Sequence, residues 1–60
     1  MFFEFYNNYI KVTNYRQLKQ LKNDLIEVDN LLITGSNLNI LKIDKEVIVI
    51  KGIINNLKLG

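Results

Sequence analysis

The chain has 60 residues, eight of them basic and six acidic, with a net charge of +2 and no Cys, His, Pro or Trp. That length allows one domain, residues 1–60, and a domain so short buries only about 60% of the surface its unfolded chain exposes. Its stability margin is therefore thin, and with no residues for a disulfide framework or structural zinc, self-association is the remedy left open.

At 48% hydrophobic residues the chain is apolar enough to fold, and the lack of Cys suits a reducing, cytoplasmic setting. The first ten residues carry Phe2, Phe3, Phe5, Tyr6 and Tyr9 but also Glu4, with no basic start of the kind a signal peptide has. This segment is expected to stay in the mature protein. Phe2, Phe3 and Phe5 place aromatic side chains on both faces of a strand, so together with Tyr6 they form a candidate partner surface.

From Ile10 onward the period is two. Ile10 and Val12 alternate with Lys11 and Thr13, and Ile26 and Val28 flank Glu27, as in half-buried strands. Between them, Tyr15, Leu18, Leu21, Leu25 and Val28 fall at helical spacing. Asn14 is placed to cap that helix and Gln17 to complete a capping box. Periodicity alone thus leaves a short helix at 15–24 in competition with a strand.

Leu38 and Ile40 alternate with Asn39, but Leu41 and Ile43 then take the apolar role, a change of phase that predicts a bulge or bend near Ile40-Leu41. Val47-Ile48-Val49-Ile50 is apolar on both faces and predicts a central strand, covered on both sides or packed on another copy. It is also the longest uninterrupted apolar run, far short of the roughly 20 residues a membrane-spanning helix needs.

Turn chemistry recurs at Asn7-Asn8, Asn23-Asp24, Asp29-Asn30, Gly35-Ser36-Asn37, Asp44-Lys45, Gly52 and Asn55-Asn56. Residues of these types tolerate the left-handed backbone of tight turns, so Gly35, Asn37 and Gly52 are expected at structural turns. The fold class that follows is all-β: a meander of short antiparallel strands forming a small sheet or β-roll. A faint echo links Leu32-Ile33-Thr34-Gly35 with Val49-Ile50-Lys51-Gly52, too little to define a repeat.

The second half is similar to a known family. Gly35-Ser36-Asn37-Leu38-Asn39-Ile40, the loop through Asp44-Lys45, then Glu46-Val47-Ile48-Val49-Ile50-Lys51-Gly52-Ile53-Ile54 resembles the C-terminal signature of the YabP/YqfC sporulation proteins. Ile10-Lys11-Val12-Thr13-Asn14-Tyr15 and Ile26-Glu27-Val28 resemble that family's upstream elements, so the likeness spans nearly the whole chain. It would be a short member, without the usual N-terminal extension and with a shorter loop at Asp29-Asn30.

The resemblance implies a β path through Tyr15 to Asp24. It also implies a non-enzymatic structural or adaptor role in endospore formation and a protein partner, a membrane protein of the sporulation machinery. The implied location is the cytoplasmic side of mother cell or forespore, peripheral to the forespore envelope. It carries over no catalytic residue and no cofactor.

Residue chemistry points the same way. Without His or Cys, Ser36 has no base to activate it and reads as a turn residue. Asp44 and Glu46 read as solvated charges beside a turn, not as an acid–base pair. Gly35-Ser36-Asn37 is too short for a phosphate loop, which needs a longer glycine-rich stretch ending in Lys-Ser/Thr. The alternative to a protein-binding module is a small β single-stranded nucleic-acid binder, with the N-terminal aromatics stacking bases and Lys11, Arg16, Lys19 and Lys22 as a basic border; the plainer reading of these residues is a hydrophobic edge strand and a solvated loop, and nucleic acid is not the expected partner.

Overall fold

The computed structural model describes residues 1–60 and contains six strands and no helix: β1 (Phe2–Phe5), β2 (Tyr9–Thr13), β3 (Leu18–Leu21), β4 (Leu25–Val28), β5 (Leu31–Ile43) and β6 (Val47–Leu59). All pairings are antiparallel, in one sheet of order β1-β2-β6-β5-β4-β3. Neighbours in sequence pair throughout, except where β2 lies against β6. The expected all-β class is what the chain adopts, with the apolar run Val47–Ile50 in a central strand.

Two of the strands are not short. β5 and β6 have 13 residues each, and at about 3.3 Å per residue a straight strand of that length would run roughly 43 Å. The longest axis of the molecule is 24 Å. Both strands must therefore bend sharply, and the ladder between them shows where.

Its register slips three times. Asn55 is extra on β6 between the pairs Thr34–Asn56 and Gly35–Ile54; one residue is extra on β5 between Ser36–Ile53 and Asn39–Lys51; Leu41 is extra between Ile40–Ile50 and Lys42–Val49. The first two slips move the apolar set to the next parity, so β5 faces the core with Leu31 and Ile33, then with Leu38 and Ile40, while beyond the third Leu41 and Ile43 stay exposed instead of taking the apolar role expected of them. On β6 the sequence is Ile48, Ile50, Ile54 and then Leu57.

The bend curls the sheet over one face. Ile10, Val12, Ile26, Val28, Leu31, Ile33, Leu38, Ile48 and Ile50 form a single buried cluster, with Phe3, Tyr15, Leu18, Ile40, Ile54 and Leu57 packed against it. β2 and β4 are separated in the sheet by β6 and β5 yet share this core, as only a sheet folded back on itself allows. One half of the roll is β1, β2, the start of β6 and the end of β5; the other is β3, β4, the start of β5 and the end of β6.

The halves are built alike. The Tyr6 N–H donates to the Tyr9 carbonyl across the β1–β2 turn, and the Lys22 N–H to the Leu25 carbonyl across the β3–β4 turn. The Gly52 N–H then donates to the Asn8 carbonyl in the first turn and the Gly35 N–H to the Asp24 carbonyl in the second. The echo around Gly35 and Gly52 thus occupies matching places in an internal pseudo-two-fold.

Several expectations are corrected here. Residues 15–24 form no helix: Tyr15 and Leu18 reach the core, Leu21 is 55% exposed, and Asn14 sits at φ 58° in the left-handed region instead of capping. The β path implied by the resemblance is the one taken, because Leu18–Leu21 finds a ladder partner in β4, which an isolated helical stretch could not match. Gly35, Asn37 and Gly52 are not in hairpin turns but inside β5 and β6, at the bends, and Asn55-Asn56 likewise lies within β6. Asn37 (φ 53°) and Gly52 (φ 142°) do adopt the positive φ anticipated for them.

The link between the halves, residues 14–17, is pinned at both ends. Asn14 N–H donates to Glu46 O, and the Tyr15 hydroxyl donates to the Asp44 carbonyl. At the other end the Asp29 carboxylate accepts from Arg16 N–H at 3.1 Å and Gln17 N–H at 2.8 Å, while Asp29 N–H donates to Gln17 O.

Close backbone approach makes the bend glycine-dependent. A Cβ on Gly35 would stand 1.9 Å from the Ile53 carbonyl oxygen, whereas one on Gly60 would meet nothing nearer than 3.9 Å. Overpacking against backbone costs about 1–3 kcal/mol or more, and a core this small supplies roughly 3–5 kcal/mol in total. Gly35→Ala is expected to remove most of the cooperative transition in thermal melts followed by circular dichroism. Gly60→Ala is expected to melt like the wild type.

Candidate interaction surfaces

The four residues of the predicted partner surface do not share a face. Phe3 and Phe5 stand opposite Val12 and Ile10, on the core side; Phe3 is half-buried against the core, but Phe5 remains 56% exposed. Phe2 and Tyr6 belong to the opposite, outer face, where Phe2 is 59% exposed. Alternation along the strand separates them, so what the four have in common is an edge.

That edge is unpaired. β1 ends the sheet, and since Tyr6 bonds across to Tyr9, the antiparallel alternation directs the N–H and C=O of Phe3 and Phe5 away from β2. The same alternation, counted from the Gly60 N–H to Asn30 carbonyl bond, turns the backbone groups of Leu57 and Leu59 away from β5. β2 pairs with β6 only through Lys51, so those groups also have no strand beside them.

The outer face of the first half collects residues that are scattered in sequence. Tyr9 lies opposite Lys51, and Lys51 opposite Asn39; Glu4 lies opposite Lys11, Lys11 opposite Val49, and Val49 opposite Lys42. Tyr6 stacks on Tyr9 with ring centroids 4.6 Å apart and planes inclined by 18°. The Tyr6 hydroxyl donates to Glu4 at 3.0 Å, and this bond together with the Glu4 charge raises the Tyr6 pKa above its ordinary value.

Beside the stack is a shallow depression of about 320 Å³ lined by Asn8, Asn37, Asn39, Lys51, Gly52 and Ile53, with no carboxylate among them. It lies at the β5 slip, where Asn37 and Gly52 hold positive φ and a Cβ on Gly52 would stand 2.7 Å from the Asn37 carbonyl. Of the basic border anticipated from sequence, only Lys11 belongs here. Arg16 is in the link between the halves, and Lys19, the extra residue of β3, and Lys22, at the far turn, belong to the other half. Lys42 and Lys51, absent from that set, arrive through β-pairing over distances that no local pattern reveals.

The other residues weighed for chemistry take structural places. Ser36 is an exposed residue of β5 opposite Ile53, within a strand instead of a turn or a phosphate loop. Asp44 Oδ1 accepts from the N–H groups of Glu46 and Val47, each at 3.0 Å, and so closes the β5–β6 turn. No group of three or more His, Cys, Asp or Glu side chains gathers anywhere in the chain, and no helix is long and apolar enough to cross a membrane.

Compared with known protein families, curated proteins and solved structures, the chain matches none.

The two backbone bonds hold the Asp44 carboxyl below the usual carboxylate pKa, from Glu46 first and Val47 second. A carboxyl whose folded pKa is depressed contributes stability that is fully present above its unfolded pKa, near pH 4, and lost as pH falls through the folded value. The melting temperature is therefore expected to fall below pH 4, and Asp44→Asn to flatten that part of the profile. An unchanged acid limb in the variant would assign it to other carboxylates.

Proposed function

We propose that the chain is a non-enzymatic interaction module that associates with itself and with a protein partner through the outer edge of β1. One observation carries this: Phe5 points to the core side of the sheet yet is 56% exposed, on a terminal strand whose outer backbone groups have no partner. An added strand at that edge would satisfy the Phe3 and Phe5 main-chain groups and extend the apolar face over the Phe5 ring. The thin core of a 60-residue chain supports the same reading, since association is how small domains of this composition gain stability.

The resemblance of Gly35–Ile54 to the sporulation signature supplies the setting. On that basis the module serves endospore formation as a structural or adaptor protein, its partner a membrane protein of the forespore envelope engaged from the cytoplasmic side.

Sedimentation equilibrium tests the association. The weight-average mass is expected to rise above that of one 7.0 kDa chain between micromolar and millimolar concentration, and Phe5→Lys to hold the protein monomeric while circular dichroism still reports the sheet. A wild-type chain that stays monomeric over that range overturns self-association. Expression outside spore-forming conditions would separately overturn the setting.

A further inference from the structure

The N-terminal aromatics and a set of lysines meet on a face that edge association leaves free. We infer that the Tyr6–Tyr9 stack and the asparagine-lined depression beside it form a binding site for single-stranded nucleic acid. A base would stack on the tyrosine pair, its phosphates would lie along Lys51 and Lys11, and the asparagine amides would line the pocket next to it.

The site has the three elements such recognition needs. Stacking requires an aromatic platform at the surface, and Tyr6, 40% exposed and already parallel to Tyr9, provides one. Backbone contact requires cations on the same face, and Lys51 stands directly opposite Tyr9, with Lys11 two residues along β2 on the same side. Hydrogen bonding to base edges or sugar requires side chains free to donate and accept. The lining amides of Asn8, Asn37 and Asn39 include only one side-chain bond within the chain, from Asn39 Nδ2 to the Asn37 carbonyl at 3.3 Å.

Charge complementarity selects an anion. Three lysines on this face, Lys11, Lys42 and Lys51, outnumber the two carboxylates at its border, Glu4 opposite Lys11 and Asp44 at the β5–β6 turn. No carboxylate lies in the depression. A duplex is disfavoured because its bases are already stacked and cannot reach the tyrosines. An anionic membrane is disfavoured because the lysines and tyrosines oppose one another across the strands instead of segregating into an apolar tip with a basic rim.

Fluorescence anisotropy with a labelled fifteen-nucleotide oligo-dT at low salt tests the site on the full chain. Binding is expected to weaken with salt at a log–log slope of about −1.4, the value for two lysine contacts to a single strand. Tyr9→Ala is expected to weaken it roughly fivefold to hundredfold, and Tyr9→Phe to restore it. Lys51→Gln combined with Lys11→Gln is expected to weaken it at least tenfold. Lys51 is exposed, so this arm holds even where Tyr9→Ala fails to fold.

Lys19→Gln combined with Lys58→Gln, in the other half, is the control and is expected to leave binding unchanged. A flat titration overturns the proposal. So does equal loss in the control pair, which would mean diffuse attraction, equal affinity for a duplex of the same length, or binding to phosphatidylglycerol vesicles without binding to oligo-dT.

Discussion

The fold depends on two strands passing each other at closer than ordinary side-chain distance. Where β5 and β6 bend, Gly35 faces the carbonyl of Ile53, and Gly52 faces the carbonyl of Asn37. Each glycine makes room for the backbone just beyond the other. Without that mutual approach the strands would run straight, the sheet would stay uncurled, and Leu31 and Ile33 could not share a core with Ile48 and Ile50. Nine buried aliphatic side chains are the chain's whole core, and they become one cluster only because the ladder bends here.

The same crossing explains the internal symmetry. Each glycine N–H is taken by the turn of one hairpin, Gly52 by Asn8 and Gly35 by Asp24, so each hairpin is anchored at one side of the bend. The halves then differ where chemistry differs. The first carries the tyrosine stack, Lys11, Lys42 and Lys51 on its outer face, while the second presents Gln20 bonded to Glu27, with Leu32 opposite Glu27 and Lys58 opposite Leu32. A duplicated architecture thus supports one face of distinct composition, as expected when packing constrains inward positions and leaves outward ones open to function.

Which parts were legible in the sequence follows from how local each signal is. Alternation of two marked β2 and β4, the doubly apolar run marked the central strand, and the phase change at Ile40-Leu41 marked the bulge, because each is written within a few residues. Gly35, Asn37 and Gly52 announced unusual backbone but not its context, since a left-handed residue serves a bulge as readily as a turn. The spacing of Tyr15, Leu18 and Leu21 imitated a helix because a short, edge-located strand with a bulged Lys19 keeps no clean alternation. The candidate site was the least legible part. Lys51 reaches Tyr9, and Asn39 reaches Lys51, only through pairings whose register is set by slips that no window of sequence contains.

The bend also determines how binding and folding are coupled. The depression beside the tyrosines is lined by Asn37 and Gly52, which hold positive φ at the slip of the ladder and approach each other closely where the sheet curls. A ligand seated there touches the segment on which the core depends, so it would stabilise the bent state by mass action. A strand added at β1 acts at the sheet's far edge, beside Phe3, which packs against the core, and Phe5, which faces its side of the sheet. In a chain whose stability margin is only a few kcal/mol, either occupant would raise the folded fraction according to its concentration and affinity, so folding and binding are linked at the edge as well as beside the glycines.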